Sequence, residues 1–239
     1  MADYLRFHGP RFEYLLRVLD DYVQPQSRVL DIGMSRLTEM IHERFGCAVD
    51  AMGFGDDRTI DSGDYYRFDL NDCQFADRCR DDLPAYDTIV FAEVLEHLHT
   101  SPRLVLEYLA GLLAPTGVLI VQTPNAVALP RRLAMMLGRN PYELIREDWT
   151  NPGHFREYTA RELCDYAAAA ELSVERVEYR SYFDYRFCHH GETRSRRQEM
   201  MGSIKNAVYP WLPKSLRPGL TVVLRKQPLT GPGYYTSTT

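Results

Sequence analysis

The most constraining feature of this sequence is the way short apolar runs alternate with segments of helical periodicity. Runs of strand length occur at residues 28–32, 47–52, 65–70, 86–92, 118–122, 173–179 and 220–226. Apolar residues recur at helical spacing at residues 11–23, 37–45, 104–113 and 159–170. Strands that alternate with helices assemble into a mainly parallel sheet between layers of helices. The order therefore predicts an α/β fold with a seven-stranded, mainly parallel sheet and helices on both faces.

Two stretches do not fit this alternation. Residues 126–153 and 182–218 are longer than usual connections and are rich in arginine, proline and aromatic residues. We expect one domain over residues 1–228, with these two insertions forming a cap over a substrate, because long insertions often carry function. Residues 229–239 are expected to form a flexible tail.

Charge and cysteine content exclude several classes of protein. The chain of 239 residues has a net charge of −5, which argues against a general nucleic-acid binder. The five cysteines are scattered and form no Cys-x-x-Cys pair, so neither a disulfide framework nor a zinc finger is indicated. No apolar stretch reaches the length of a membrane span. We therefore expect a cytoplasmic protein, and the sequence leaves a homodimer open.

The first predicted strand ends in Asp31-Ile32-Gly33. In open parallel sheets, ligands bind beyond the carboxyl ends of the strands, near the switch in strand order. A glycine at this point lets the backbone approach a ligand closely. This segment predicts a ligand site at Gly33, but many α/β proteins share it.

Five segments in order carry a more specific resemblance. They are VLDIG at 29–33, RFDLND at 67–72, YDTIVFAEVLEHL at 86–98, LLAPTGVLIVQTPN at 112–125 and HFREYTARELCDYAAAAEL at 154–172. Together they resemble the class I S-adenosylmethionine-dependent methyltransferases, especially the ubiquinone-biosynthesis-like and sugar O-methyltransferases. The resemblance covers residues 27–179 and implies a Rossmann-like fold with S-adenosylmethionine as the cofactor.

The resemblance also implies cofactor contacts at the strand ends. Asp31 and Gly33 would hold the methionine part of the cofactor, and Asp69 would meet the adenine. The implied cofactor-binding residues are Asp31, Gly33, Met34, Ser35, Asp69, Leu70, Phe91, Ala92 and Glu93.

The sequence departs from the family pattern at two places. The loop after Gly33 is shorter than the family's GxGxG loop and lacks its later glycines. Gly53 stands where the family has an acidic residue that binds the ribose hydroxyls. The nearby aspartates are Asp50, Asp56 and Asp57. Either one of these replaces the missing acid, or the site binds the cofactor weakly.

His154 is the first candidate for catalysis. Methyl transfer from a sulfonium is an in-line displacement, so the protein mainly positions the reactants. A hydroxyl acceptor must also lose a proton, and histidine is suited to act as the general base. The alternative is that His154 anchors the following helix, where Thr159 and Glu162 have the spacing of a capping box. His97 is the second candidate.

Glu93, Glu96 and His97 form a candidate metal site. On a helix their i, i+3 and i+4 spacing would place them on one side. Such a cluster could bind Mg²⁺. The alternative, which we favour because histidine is an unusual magnesium ligand, is that Glu96 and His97 only fix the helix in place.

Thr123, Asn125 and Arg156 are the candidate substrate-binding residues, because they border the expected acceptor side. The aromatic run at 182–187 is a further candidate, although such runs more often pack a cap onto a core. These features favour O-methylation of a hydroxyl on a sugar, a glycan precursor or another polar small molecule. The alternatives are N- or C-methylation of a small metabolite, and a non-catalytic protein on the same fold.

Overall fold

Seven strands form one mixed sheet in the computed structural model of the chain, which describes residues 2–55, 59–148, 152–188 and 195–226. The strands are β1 (Arg28–Ile32), β2 (Ala48–Gly53), β3 (Tyr65–Arg67), β4 (Tyr86–Ala92), β5 (Leu113–Pro124), β6 (Leu172–Arg180) and β7 (Gly219–Lys226). Their order across the sheet is β3-β2-β1-β4-β5-β7-β6. Strands β1 to β5 are parallel, whereas β7 runs antiparallel to β5 and β6. The predicted mainly parallel sheet is therefore confirmed. The expected tail at 229–239 lies outside the described residues.

The described part of the chain also contains six α-helices. They are α1 (Ala2–Leu19), α2 (Arg36–Phe45), α3 (Pro102–Leu112), α4 (Leu129–Met136), α5 (Ala160–Ala169) and α6 (Arg196–Val208). Thr159 caps α5 in a capping box with Glu162, as the spacing predicts. Within the described ranges, no helix combines the length and the apolar character needed to cross a membrane.

The first helix differs from its prediction. It begins at Ala2 rather than at residue 11 and continues through Pro10. Proline removes one backbone hydrogen bond from a helix interior, so the sequence pattern suggests a helix that starts after it. Contacts from a distant segment hold the first turns: the Phe7 ring stacks on Phe183 with centroids 4.6 Å apart, and the Asp184 N–H donates to the Phe7 carbonyl (3.1 Å).

Two apolar layers lie on opposite faces of the sheet, because successive strand residues point to opposite faces. Leu30, Ile89 and Leu119 belong to the core that includes the buried side of α3 and α5. Val29 and Val90, the neighbours of two of these residues, belong to the core that α1 and α2 cover. The predicted helices on both faces are confirmed, and the carboxyl ends of β1 and β4 lie side by side.

The two insertions fold differently from the framework. The first contains α4, and the second contains a 3₁₀ turn at Tyr185–Phe187, then α6, and two further 3₁₀ turns at Tyr209–Trp211 and Lys214–Leu216. Gly202 allows α6 to pack directly on the first of these turns, since a Cβ there would lie 2.5 Å from the Tyr185 carbonyl oxygen. The same turn contacts α1, where the rings of Phe7 and Tyr185 lie 6.3 Å apart, so the second insertion packs beside α1.

Candidate active site

Two cavities meet at the carboxyl ends of β1 and β4. The α1 cavity, of about 560 Å³, lies between α1, these strand ends and the two insertions. The β2 cavity, of about 790 Å³, lies along the end of β2 and the turn that follows β3. Both cavities are lined by Ile32, Gly33, Glu93, Val94 and His97. Ligands bound in the two cavities would therefore touch at Gly33 and Glu93.

The β2 cavity is lined by apolar side chains and by the backbone at Gly33. Phe68, Leu70 and Met52 line it, and the Gly33 N–H donates to the Met52 carbonyl (2.8 Å) with Gly33 at a φ of 81°. The Asp69 carboxylate accepts from the Asn71 N–H (2.9 Å) and so caps the 3₁₀ turn at Leu70–Gln74. This turn ends β3 at Arg67, three residues before the predicted end. The cavity suits a flat, partly apolar group such as an adenosine.

Most of the implied cofactor residues line these cavities. Asp31, Ser35 and Ala92 line the α1 cavity, Met34, Asp69 and Leu70 line the β2 cavity, and Gly33 and Glu93 line both. Phe91 is the exception, because its side chain is fully buried in the core. A contact between Phe91 and the cofactor stays a prediction and could involve only its backbone.

The irregular loop after Gly33 begins α2 with a capping box. Ser35 accepts from the Leu37 N–H (3.2 Å), and the Ser35 N–H donates to the Thr38 hydroxyl oxygen (3.2 Å). The Thr38 hydroxyl in turn donates to the buried Asp31 carboxylate (2.6 Å). Burial raises the pKa of Asp31 to about 6, while Thr38 and Arg11 act to lower it. The loop thus replaces the missing glycines with a side-chain network that orients Asp31.

The place of the missing ribose acid is filled by a tyrosine. A Cβ on Gly53 would lie 2.9 Å from the Tyr65 hydroxyl oxygen, which leaves little space for a longer side chain. Asp50 is buried in the core, where it accepts from the Tyr86 hydroxyl (2.9 Å) and the Asp64 N–H (2.9 Å). Asp50 therefore does not replace the acid. The other two aspartates considered, Asp56 and Asp57, lie outside the described residues.

Arg11 is a site residue that the sequence analysis missed. It is 4 % exposed and lines the α1 cavity, and its Nε and Nη1 atoms have no hydrogen-bond partner among the described residues. Its positive charge lowers the pKa values of Asp31, Glu93 and Glu96 against the effect of burial. The available signal was a charge on the apolar side of α1, four residues before the buried Leu15.

The EVLEHL segment does not form the helix on which Glu93, Glu96 and His97 would share one side. Strand β4 ends at Ala92, Glu93 has a φ of 57°, and only one 3₁₀ turn follows at Leu95–His97. A positive φ is uncommon outside glycine and is often found at functional sites. The Glu93 N–H donates to the Gln122 carbonyl (2.8 Å), which fixes this turn to β5. Burial and the neighbouring Glu96 raise the pKa of Glu93 to about 8.

Glu96 is fully buried, with one carboxylate oxygen available. Its Oε2 accepts from the Thr123 hydroxyl (3.0 Å), whereas Oε1 has no partner among the described residues. Burial raises the pKa of Glu96 to about 7. The Glu96 carbonyl accepts from the Phe155 N–H (2.8 Å), so the turn after β4 is joined to the segment that contains His154.

His97 and His154 face each other with the same hydrogen-bond pattern. Nδ1 of His97 lies 2.8 Å from the Gly153 carbonyl, and Nδ1 of His154 lies 3.0 Å from Glu157 Oε1. Both partners are acceptors, so Nδ1 carries the proton and each neutral ring keeps its lone pair on Nε2. Burial lowers the pKa of His97 and favours its neutral form.

Glu96, His97 and His154 can converge on one ion. Each offers a ligand atom, and these atoms lie within 4.8 Å of one another. Metal-binding histidines commonly donate their other ring N–H to a carbonyl or a carboxylate, as both do here. The structure therefore supports a three-residue donor set that includes His154 in place of Glu93.

The candidate substrate residues have other contacts. Thr123 is buried against Glu96, and Asn125 donates to the carbonyls of Ser215 (3.0 Å) and Arg217 (2.8 Å). Arg156 pairs with Glu162. None of these three is among the described residues that line the two cavities. Their role in substrate binding stays a prediction, because their observed partners are other residues of the protein.

The residues that do line the acceptor side come from distant parts of the chain. Arg131, Phe183 and Tyr185 line the α1 cavity together with His154. Arg131 also pairs with Glu157, the carboxylate that holds His154. Phe183 and Tyr185 belong to the aromatic run at 182–187, whereas Arg131 and Glu157 are not among the residues predicted from the sequence.

Comparison with known proteins gives the family. The model of a family described as "Methyltransferase domain" matches residues 7–177, which is more than half of the chain. The chain belongs to this family. A search of curated proteins finds no match.

Solved structures share the fold. One is a SAM-dependent methyltransferase from Archaeoglobus fulgidus, with 14 % identity, 89 % of this chain and 92 % of that chain covered, and a TM-score of 0.57. A second is the geranyl diphosphate C-methyltransferase from Streptomyces coelicolor A3(2), solved with Mg²⁺, geranyl diphosphate and S-adenosyl-L-homocysteine. It has 11 % identity and a TM-score of 0.56, with 92 % of this chain and 80 % of that chain covered. A third is the magnesium protoporphyrin IX methyltransferase from Synechocystis PCC 6803 with bound SAH. It has 13 % identity and a TM-score of 0.55, with 92 % of this chain and 84 % of that chain covered.

The protein is therefore a class I S-adenosylmethionine-dependent methyltransferase with a Rossmann-like fold. The narrower likeness to ubiquinone-biosynthesis-like and sugar O-methyltransferases stays a prediction, since the similar structures include a C-methyltransferase.

Proposed function

We propose that this methyltransferase acts on a hydroxyl group of a sugar, a glycan precursor or another polar small molecule. One observation carries the proposal: the imidazoles of His97 and His154 both have a lone pair on Nε2, next to the buried Glu96 carboxylate. This cluster lies where the two cavities meet, so it can act on an acceptor oxygen. The two insertions form the cap over that acceptor.

The cofactor occupies both cavities in this proposal. Its adenosine lies in the β2 cavity against Leu70 and Asp69, and its methionine part passes Gly33 into the α1 cavity. Arg11 pairs with the carboxylate there, because its Nε and Nη1 atoms are buried and available. Bound S-adenosylmethionine supplies the methyl group on its sulfonium.

The cluster has two ways to help a hydroxyl lose its proton. His154 acts as a general base through Nε2, with Glu157 holding the ring and stabilising its positive charge. Alternatively, Glu96, His97 and His154 hold a divalent cation. The donor set fits such an ion, because the unpartnered Glu96 Oε1 is buried and the nearby imidazoles are preoriented. A cation there would lower the pKa of an acceptor hydroxyl.

The proposal includes a cytoplasmic location and a small-molecule or glycan acceptor. Five free cysteines in the structure support the location, because disulfides are rare in the cytosol. The α1 cavity supports a small acceptor, since its volume suits one ligand of modest size.

The test combines His154→Gln with a screen of sugars, glycan precursors and phenols using labelled cofactor. We expect turnover to fall by about 10²–10⁴-fold, the usual contribution of a positioned base, with S-adenosylhomocysteine affinity unchanged. His42→Gln is the matched control, since His42 also bonds a carbonyl through Nδ1 (2.8 Å to Cys47) but lies on α2. Normal turnover of a hydroxyl acceptor by the His154 variant would show that His154 is not the base. Failure of the wild-type protein to label any hydroxyl acceptor would favour an N- or C-methyl acceptor.

Two further measurements separate the remaining alternatives. Treatment with a chelator, followed by Mg²⁺ or Mn²⁺, shows whether the cluster works with an ion: loss and recovery of activity support the cation. Calorimetry with S-adenosylhomocysteine tests the non-catalytic alternative, which requires that the ligand fails to bind at millimolar concentration.

A further inference from the structure

The outer side of α6 and the turn after it expose a row of large apolar side chains. Met200, Met201, Ile204 and Val208 are 45–57 % exposed, and Trp211 is 88 % exposed. We call these five residues the α6 face. The four helical members follow i, i+1, i+4 and i+8 spacing, so they lie within an arc of about 100° at 3.6 residues per turn. They form one continuous stripe rather than scattered surface residues.

The opposite side of the same helix packs on the active site. Gly202 is buried against the backbone of Tyr185, and the Asn206 side chain accepts from the Tyr185 N–H (3.0 Å). The ring of Tyr209 meets that of Tyr185 edge to face at 5.2 Å, and Tyr185 lines the α1 cavity. A partner on the α6 face would therefore lie one helix away from the acceptor site.

The charge of this segment differs in sign from that of the whole protein. Residues 195–217 contain five basic residues and one acidic residue, whereas the chain carries −5. Arg196 and Arg197 are exposed at the start of α6, and Lys214 is exposed just after Trp211. Basic residues therefore flank the apolar stripe at both ends.

The apolar stripe and the basic residues that flank it together indicate which kind of partner binds the α6 face. A contiguous patch of exposed apolar residues on a protein surface commonly marks an interaction site. A second copy paired through this face about a twofold axis would bring two basic segments together, which disfavours self-association. Nucleic acid would match the charge but not the methionine, isoleucine and valine side chains. An anionic lipid surface matches both, because interfacial helices combine Lys and Arg with buried apolar residues and tryptophan.

We propose that the α6 face docks on a membrane surface that contains anionic phospholipids. The apolar side chains enter the boundary between headgroups and acyl chains, and Arg196, Arg197 and Lys214 lie against lipid phosphates. The first insertion has a similar character, since Met136, Leu137 and Leu144 are 72–87 % exposed while Glu143 lines the α1 cavity. Docking does not depend on which acceptor is methylated, and it would bring the acceptor cavity close to the lipid.

Vesicle binding tests this proposal directly. Trp149→Phe leaves Trp211 as the only tryptophan, so its fluorescence reports the face itself. With vesicles of phosphatidylcholine and about a third of phosphatidylglycerol, we expect a blue shift and sedimentation of the protein. Binding should be at least about tenfold weaker with phosphatidylcholine alone or in about 1 M salt, because screening removes the lipid attraction.

Variants locate the contact, with sedimentation as the measurement. The triple change Met201→Ser, Ile204→Ser and Val208→Ser, and separately the pair Arg196→Gln and Arg197→Gln, should each weaken binding about tenfold or more. The control is Phe75→Ser, an exposed apolar residue that lines neither described cavity. Calorimetry with S-adenosylhomocysteine shows that each variant is folded, and it keeps this result separate from the proposed methyl transfer.

Three outcomes would overturn the proposal. The first is wild-type protein that stays in the supernatant with anionic vesicles. The second is equal binding by the triple variant. The third is a concentration-dependent dimer that the triple variant abolishes, because the α6 face would then be an interface between two copies.

Discussion

The two cavities of this methyltransferase are built in different ways. Most residues of the β2 cavity lie at or just after the ends of β1 to β4, so most of its walls follow from the order of the strands, and Pro152 and Phe155 complete it. The α1 cavity joins a strand end to α1, to His154 and to Tyr185, which are far apart in the chain. The framework thus fixes the cofactor side, whereas long-range contacts assemble the acceptor side. Substitutions of residues that hold the cofactor and of residues that act on the acceptor should therefore separate into binding and turnover effects, even where both residues line the α1 cavity, as Arg11 and Glu96 do.

The sharpest separation is expected for Glu96→Gln. The change keeps the shape of the side chain but removes the charge next to His97 and His154. We expect kcat to fall by about 10²–10⁴-fold, as for the loss of a positioned proton-transfer group, with S-adenosylhomocysteine affinity within about threefold. Steady-state kinetics and calorimetry measure the two quantities. The control is Glu107→Gln, which removes only a surface ion pair with Arg103.

A large loss of cofactor affinity in the Glu96 variant would contradict the division between cofactor-holding and acceptor-side residues. It would show that the cluster also holds the donor, so the acceptor side would not be separate.

Arg11→Met should give the opposite result. Charge-assisted hydrogen bonds to a carboxylate contribute about 1.5–3 kcal/mol, so the Kd for S-adenosylhomocysteine should rise about 10- to 150-fold. The maximal rate at saturating cofactor should change much less. Arg17→Met is the matched control, because Arg17 is exposed on the same helix. Unchanged affinity in the Arg11 variant would remove this residue from the donor site.

The same division explains how far the sequence could predict this molecule. Asp31, Gly33 and Asp69 were found because each lies at or just after a strand, and strand ends in a parallel sheet share one edge. Arg11 was not predicted, although its spacing from Leu15 places it on the apolar side of α1, because its packing on Phe183 is a contact between distant parts of the chain.

The acceptor side shows a second kind of failure. The spacing of Glu93, Glu96 and His97 suggested a helix, but the left-handed conformation of Glu93 redirects the chain. His154 then joins the cluster through the Gly153 carbonyl, 56 residues from His97. Local patterns contain no information about such a contact, so the residue types were predicted and their arrangement was not.

The pH dependence of stability should reveal the buried carboxyls of the α1 cavity. Burial raises the pKa values of Asp31, Glu96 and Glu93 to about 6, 7 and 8. The folded protein then binds protons more tightly than the unfolded chain, so this part of the stability is lost as pH rises through these values. The lowered pKa of His97 acts in the other direction, but only below its ordinary value of about 6.5.

We therefore expect the Tm of the ligand-free protein to fall between about pH 6.5 and 8. Glu93→Gln should raise the Tm at pH 8 by several degrees, at about 2–4 °C per kcal/mol, and flatten the slope. Glu13→Gln, on the exposed side of α1, should leave the slope unchanged. An identical slope in the Glu93 variant would show that this carboxyl is ionised throughout the range.

The smallest effects are expected for the capping boxes of α2, on the cofactor side, and of α6, on the acceptor side. Ser35 caps α2 beside Asp31, and Ser195 caps α6 in the second insertion. Each Ser→Ala change removes a cap worth about 1 kcal/mol. Ser35→Ala should also weaken S-adenosylhomocysteine binding a few-fold, because Ser35 orders the loop that positions Thr38 and Asp31. Ser195→Ala should leave that affinity unchanged, since α6 contacts the site through Tyr185, which lies on the acceptor side of the α1 cavity. Equal effects on affinity would mean that the two sides are coupled through the fold, and the distinction between a donor framework and an assembled acceptor cap would then fail.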